Sequence, residues 1–185
     1  MNGGVWCWGN NYDGRLGNNS TTISPSPVAV TGLGSGVQTI AAGGTHTCAL
    51  VNGGVWCWGA NGSGQLGSNS LASKSTVPVQ VAGLASGVQA ITANQVQTCA
   101  LANGGVWCWG DNASGELGNN STNNSRVPVP VSGLTEGVQS VSAGAAHTCA
   151  LVNGDIRCWG ANNNGELGDN STTARLVPAA PVKFW

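Results

Sequence analysis

The sequence predicts an all-β fold built from repeated four-stranded antiparallel sheets. The chain repeats itself, because Cys7, Cys57, Cys108 and Cys158 occupy equivalent positions that are 50, 51 and 50 residues apart. Its apolar segments are short, β-branched or aromatic, and bounded by Gly, Asn, Pro and Ser, which is a strand pattern. A period near 50 residues with four such segments is typical of propeller blades, so we predict a β-propeller.

Each repeat presents its segments in the same order. The second unit reads "SGVQTIAAG", "HTCALV" and "GVWCWG", followed by a loop of the form NxxGxLG and a segment rich in valine and proline. In "GVWCWG", Trp56 and Trp58 project to one side of the predicted strand, while Val55 and Cys57 project to the other. Because neither side is polar, we expect neighbouring blades to cover both faces of the sheet.

The first unit contains only the last two strand-like segments of the repeat. We therefore predict fourteen strands, or about three and a half blades, in a single repeat domain with units at 1–34 (partial), 35–85, 86–135 and 136–185. Three interpretations remain open. The chain is a fragment of a longer propeller, a module that stacks with other chains, or a four-bladed ring with one defective blade.

The cysteine pairs lie on predicted hairpins. Asn52 and Gly53 form a strong two-residue turn signal, and counting outward from that turn places Cys48 opposite Cys57. The two fall at a non-hydrogen-bonded pair, where Cα atoms are about 4.5 Å apart, which a disulfide tolerates. The count gives two more pairs: Cys99 with Cys108, and Cys149 with Cys158. We predict three disulfides and an oxidising compartment; buried free thiols are the alternative.

Cys7 has no partner in this pattern, because its partner would lie before the chain begins. It is free, pairs with another chain, or pairs with a portion that is not present.

Composition excludes several functions. Only 7% of residues are charged, against about 25% in typical domains, and the net charge is −1. We therefore expect no nucleic-acid partner. No apolar run approaches the roughly 20 residues of a membrane span, so we expect no membrane insertion. No catalytic triad, phosphate loop or carboxylate pair can be recognised, so we expect no enzyme activity, no cofactor and no metal.

One position alternates between histidine and glutamine. His46 and His147 stand where the second full repeat has Gln97, so we expect structural hydrogen bonding rather than catalysis there. The position three residues earlier holds Gly43, Asn94 or Gly144. Since glycine and asparagine both accept a positive φ, we expect a left-handed backbone at this position.

The stretch "AAGGTHTCALVNGGVWCWGANGSGQLG" resembles the repeat of the regulator of chromosome condensation family. The shared features are a glycine turn before His46 and Thr47, an Ala49–Leu50 strand, and the turns at 58–61 and 64–67. The resemblance covers nearly the whole chain and implies a propeller, usually of seven blades. It also implies that "VQTIAAG" is the innermost strand of a blade and that the valine- and proline-rich strand is outermost.

The resemblance is closest in character to secreted bacterial members, which bind proteins through one rim. We therefore expect a non-enzymatic scaffold, extracellular or at the cell surface and bacterial, whose rim loops bind a protein or a glycan. The alternatives are a homo-oligomer whose open blades self-associate into rings or fibres, and part of a larger propeller. The candidate binding residues differ between repeats: Tyr12, Asp13, Arg15, Lys74, Arg126 and Glu136.

Overall fold

The computed structural model describes residues 3–179, which contain thirteen β-strands and no helix. The strands are β1 (Trp6–Gly9), β2 (Ser24–Ala29), β3 (Val37–Ala42), β4 (His46–Val51), β5 (Gly54–Ala60), β6 (Lys74–Gln80), β7 (Val88–Ala93), β8 (Gln97–Ala102), β9 (Gly105–Gly110), β10 (Ser125–Pro130), β11 (Val138–Ala143), β12 (His147–Val152) and β13 (Asp155–Gly160). The all-β prediction is confirmed.

The strands form four antiparallel sheets, in which each strand pairs with its neighbour in sequence. The sheets are β1–β2, β3–β6, β7–β10 and β11–β13. The predicted fourteenth strand is present only in part. Arg175 forms an isolated bridge with Gly160, and the Ala179 N–H donates to the Cys158 carbonyl at 2.9 Å. The remainder of that segment lies outside the described residues.

Asparagine–glycine turns set the register of the hairpins. Asn52 and Gly53 have φ values of 51° and 81°, which a type I′ turn requires. The turn places Cys48 opposite Cys57, as the sequence predicts. The same register pairs Cys99 with Cys108 and Cys149 with Cys158. The three S–S distances are 2.13, 2.12 and 2.08 Å, which is disulfide distance.

The core lies between consecutive sheets, and apolar residues cover both faces of the inner ones. Trp109 and Ala100 of the third sheet pack with Leu50 and Val55 of the second. Trp159 packs in the same way between the third and fourth sheets, and Trp58 between the first and second. The absence of a polar face in "GVWCWG" therefore reflects the burial of this strand on both of its sides.

One hydrogen-bonded contact between sheets recurs three times. A tryptophan of each following sheet donates its indole N–H to a backbone carbonyl of the preceding one: Trp58 to Arg15 at 2.9 Å, Trp109 to Gln65 at 2.9 Å, and Trp159 to Glu116 at 2.7 Å. A threonine hydroxyl of the following sheet donates to the same carbonyl: Thr47 at 3.1 Å, Thr98 at 3.0 Å and Thr148 at 3.2 Å. Buried backbone acceptors are thus satisfied across every junction.

The antiparallel order creates two different rims. The long-loop rim carries the loops 10–23, 61–73, 111–124 and 161–174, with the short turns 43–45, 94–96 and 144–146. The turn rim carries the hairpin turns 52–53, 103–104 and 153–154, with the connections 30–36, 81–87 and 131–137.

Candidate interaction site on the long-loop rim

Five of the six candidate binding residues lie on the long-loop rim. Tyr12, Asp13 and Arg15 belong to its first loop, and Lys74 begins β6 beside that loop. Arg126 lies one sheet further along, in β10. Glu136 lies in the 131–137 connection on the turn rim, so the structure does not bring it together with the others.

Four of these residues form one patch, the rim patch, made of Tyr12, Asp13, Arg15 and Lys74. The Arg15 guanidinium pairs with the Asp13 carboxylate, and its Nη1 donates to the Gly44 carbonyl at 2.8 Å. Lys74 Nζ donates to the Tyr12 carbonyl at 3.4 Å. The Tyr12 side chain is 64% exposed. The patch therefore presents an aromatic ring beside charges of both signs.

Charge is concentrated on the long-loop rim. The chain has six Lys and Arg residues and seven Asp and Glu residues. Of the twelve that lie among residues 3–179, nine are on that rim: Asp13, Arg15, Lys74, Asp111, Glu116, Arg126, Glu166, Asp169 and Arg175. In a chain with so few charges, this rim is the surface with most capacity for polar recognition.

Buried asparagines hold the long loops in place. Asn112 donates from Nδ2 to the carbonyls of Ser121 at 2.9 Å and Asn123 at 3.0 Å, and its Oδ1 accepts the Leu117 N–H at 2.9 Å. Asn11, Asn61 and Asn162 make equivalent bonds in their own loops. The asparagine of the NxxGxLG motif thus holds its loop in one conformation. The described residues contain no group of three or more His, Cys, Asp or Glu side chains arranged to hold a metal.

At the histidine position, His46 and Gln97 form the buried hydrogen bonds that the sequence predicts, whereas the His147 side chain forms none among residues 3–179. His46 is fully buried, and its Nε2 lies 2.7 Å from the Thr98 hydroxyl of the next sheet. Burial lowers the pKa of His46 to about 4, because the charged imidazolium is disfavoured there. The equivalent Gln97 donates to the Thr148 hydroxyl at 3.0 Å.

The prediction of a left-handed backbone three residues earlier is wrong. The positive-φ residues include neither Gly43 nor Asn94. A methyl group on Gly43 would clash first with the Asn94 carbonyl oxygen of the next sheet and would also lie 2.8 Å from Cε1 of His46, so both the neighbouring backbone and the imidazole ring need the space. Asn94 fits because it donates to the Gln97 side-chain oxygen at 2.8 Å.

The two-stranded first sheet leaves a second candidate surface, which lies beside its β1 edge. A cavity of about 440 Å³ is lined by Trp6, Cys7, Trp8 and Ile40, among others. Cys7 has no sulfur partner within the part of the chain that the structure describes, and burial raises the pKa of its thiol. The exposure of Trp8 was not predicted from the sequence, because its motif is identical to that of the buried Trp58. The incomplete first unit is the feature of the sequence that could have indicated it.

A helix long and apolar enough to cross a membrane is not found among residues 3–179.

Comparison with known proteins identifies repeats along most of the chain. The profile described as the Regulator of chromosome condensation (RCC1) repeat matches residues 2–50, 52–101 and 103–151, and a second profile of the same description matches 37–65 and 138–166. The human and mouse E3 ubiquitin-protein ligases HERC2 are each 32% identical over 126 residues, which is 63% of this chain and 3% of theirs.

Solved structures share the fold over almost the whole chain. Human WBSCR16 is 28% identical with a TM-score of 0.83, and the match covers 98% of this chain and 49% of that one. Yeast RCC1 (Prp20) bound to Kap60 is 24% identical with a TM-score of 0.82, covering 98% and 45%. The chain spans about half the length of these structures and a small part of HERC2. The propeller prediction is confirmed, with about three and a half blades.

Proposed function

The chain belongs to the family of Regulator of chromosome condensation (RCC1) repeat proteins, and we propose that it is a non-enzymatic propeller scaffold that binds a protein partner through its long-loop rim. The observation that carries this proposal is the concentration on that rim of nine of the twelve charged residues that the structure describes. The strands are committed to packing between sheets, so loops are the free recognition elements.

The rim patch has the composition of an interface centre. Tyrosine and arginine are enriched at interface hot spots, because they bury much area and also form hydrogen bonds. Tyr12 is exposed, and Arg15 is already oriented by Asp13 and by the Gly44 carbonyl. Buried asparagines hold the surrounding loops, so little conformational freedom is lost on binding.

We favour a protein over a glycan as the partner. The solved structures that share the fold include yeast RCC1 (Prp20) bound to Kap60, and Prp20p from Saccharomyces cerevisiae, which binds Gsp1p and histones. These partners are proteins. Charges of both signs around one tyrosine also suit a mixed-charge protein surface.

We further propose that the protein acts outside the reducing cytosol. The support is the three cysteine pairs at disulfide distance, because structural disulfides are common in oxidising compartments and rare in the reducing cytosol.

The test is a binding screen with matched variants. The chain is labelled with a fluorescent dye and applied to an array of extracellular protein domains and to a glycan array. Each hit is then titrated against Tyr12→Ala and against Glu136→Ala, which alters the turn rim. We expect a protein hit whose affinity falls about tenfold with Tyr12→Ala, as for a hot-spot aromatic. Hits confined to glycans, or weakened only by Glu136→Ala, would overturn the proposal.

A further inference from the structure

The turn rim contains a cavity beside Trp56, on the opposite rim from the rim patch. Its volume is about 460 Å³, and small-molecule sites commonly measure about 300–1,000 Å³. We call it the Trp56 cavity. Its lining includes two ring side chains and three further polar ones: Trp56, Pro78, Thr31, Asn52 and Gln80.

Strand register places three of these side chains on one wall. Trp56 of β5 lies directly opposite Gln80 of β6. Pro78 faces the same side of the sheet as Gln80, because residues two apart on a strand point the same way. Directly opposite residues have Cβ atoms about 4.5–5.5 Å apart, and diagonal ones remain within reach of an aromatic side chain. The indole, the proline ring and the Gln80 amide therefore form one continuous surface.

The other wall comes from two turns that hydrogen bonds hold in place. The Thr31 N–H donates to the Gly17 carbonyl at 2.9 Å. Asn52 lies in the hairpin turn, where the next residue, Gly53, donates its N–H to the Gln38 side-chain oxygen at 2.8 Å. Because both turns are fixed before a ligand arrives, binding costs little conformational freedom in the backbone.

The polar groups of the Trp56 cavity are available to a ligand. Among residues 3–179, the Trp56 indole N–H donates to no acceptor, unlike the buried indoles between sheets. The side chains of Thr31, Asn52 and Gln80 are exposed and form no hydrogen bond to another described residue. No charged side chain from the described part of the chain lines the cavity. The lining therefore suits an uncharged ligand with many hydrogen-bonding groups.

A pyranose sugar has this chemistry. The C–H groups on one face of its ring can pack on an indole, whose face is electron-rich. Its hydroxyls both donate and accept hydrogen bonds, and so do the amides of Asn52 and Gln80. A proline-rich peptide also docks on aromatic grooves, but it would offer carbonyls and no N–H donors to the two amide oxygens. A quaternary ammonium is recognised by aromatic cages, and this lining has one aromatic ring.

A cavity of the same frame recurs one unit along, beside Trp107. It measures about 200 Å³, and its lining includes Asn103 and Pro128, which are equivalent to the asparagine and proline of the Trp56 cavity. It lies between the two four-stranded sheets. The frame is thus a feature of neighbouring units and does not depend on either end of the described chain.

Two polar groups distinguish the Trp56 cavity from its repeat. Ala82 stands in the second cavity where the first has Thr31. Pro130 stands opposite the second indole, where the first cavity has Gln80. The second cavity therefore has the rings but fewer hydrogen-bonding groups, which makes it an internal control.

We propose that the Trp56 cavity binds an uncharged pyranose residue of a glycan. The sugar ring stacks on the indole of Trp56, and its hydroxyls bond to Thr31, Asn52 and Gln80. The inference concerns the turn rim, goes beyond the protein-binding function of the long-loop rim, and does not depend on it.

The test is a nuclear magnetic resonance titration of the chain labelled with ¹⁵N at its tryptophan indoles. The Trp56 and Trp107 resonances are assigned with Trp56→Phe and Trp107→Phe. The probes are the methyl pyranosides of glucose, galactose, mannose, xylose and N-acetylglucosamine, with uncharged oligosaccharides of each. An oligoproline peptide and choline represent the two other ligand classes. We expect a saturable shift at Trp56 with a millimolar dissociation constant for at least one sugar, and none at Trp107.

The matched variant carries Thr31→Ala and Gln80→Pro together. Both new residues occur at the equivalent positions of the next unit, so the fold accommodates them. We expect the dissociation constant of the sugar to rise about tenfold, because two hydrogen-bonding groups are lost. Trp107→Ala, which removes the ring of the second cavity, should leave it unchanged. If the double variant changes the circular dichroism spectrum, Gln80→Ala replaces Gln80→Pro.

Three outcomes would overturn the proposal: no sugar that shifts the Trp56 resonance, equal shifts at Trp56 and Trp107, or tighter binding of oligoproline or choline than of any sugar. Unchanged affinity in the double variant would also contradict it. A protein partner lost with Tyr12→Ala would leave the function of the long-loop rim standing in each of these cases.

Discussion

Replacing His46 by glutamine removes a buried imidazole while keeping a hydrogen bond to the next sheet. Gln97 shows how glutamine serves at this position, since it donates to the Thr148 hydroxyl at 3.0 Å and to the Glu116 carbonyl at 2.8 Å. Gly43 offers a glutamine oxygen no amide like that of Asn94, but Nδ1 of His46 likewise has no hydrogen-bond partner within the described residues, so neither side chain is at an advantage there. We therefore expect His46→Gln to change the free energy of unfolding at pH 7.5 by less than about 1 kcal/mol.

The stabilities of the parent protein and of the His46→Gln variant should diverge as the pH falls. The pKa of His46 is about 4 in the folded protein and 6.5 without burial, so the unfolded chain takes up a proton first. Stability is therefore lost as the pH falls from 6.5 towards 4. With 1.36 kcal/mol for each pKa unit, the loss specific to His46 is about 2–3 kcal/mol at pH 4.5.

The assay is urea unfolding of the parent and His46→Gln at pH 7.5 and 4.5. Other titrating groups, such as Glu116, are common to both proteins and cancel in the difference. We expect the parent to lose about 2–3 kcal/mol more than the variant. Equal losses would mean that the His46 imidazole is not held neutral by burial, and the reasoning would fail.

Further predictions concern the cysteine pairs and the indole bonds. In the unreduced native protein, alkylation followed by mass spectrometry should label one thiol, Cys7, and a second labelled thiol would contradict the predicted disulfides. Replacing both Cys99 and Cys108 by serine should lower the free energy of unfolding by about 2–3 kcal/mol, since the closed loop is short. Trp109→Phe should cost about 2–3 kcal/mol in urea unfolding, because it removes one of the two hydrogen bonds to the Gln65 carbonyl and leaves space where the buried indole packs. Trp8→Phe should cost almost nothing, because Trp8 is 62% exposed.

Local chemistry made the blade predictable from the sequence. Asn52 and Gly53 fix the hairpin turn, and the turn fixes the register that sets Cys48 opposite Cys57. The apolar character of both strand faces predicts packing between sheets. These features depend on residues close together in the sequence, which is why the repeat alone sufficed.

Packing between sheets could be predicted, but the particular contacts that form there could not. Gly43 suggested a requirement for positive φ, but the structure shows a steric requirement set by the Asn94 carbonyl of the next sheet and by the ring of His46. The contact of Lys74 with the Tyr12 carbonyl joins residues 62 positions apart, and no local pattern encodes it. The exposure of Trp8 likewise does not follow from its own motif, because Trp58 has the same motif and is buried against the preceding loop.

The claim that the long-loop rim is the binding surface is tested most directly by comparing the dissociation constants of two variants with that of the parent protein. The dissociation constants of Tyr12→Ala and Glu136→Ala are measured for the same protein partner at the same ionic strength. We expect the first to be about ten times larger than that of the parent and the second to be unchanged. A partner lost with Glu136→Ala and retained by Tyr12→Ala would place binding on the turn rim and contradict the proposed function.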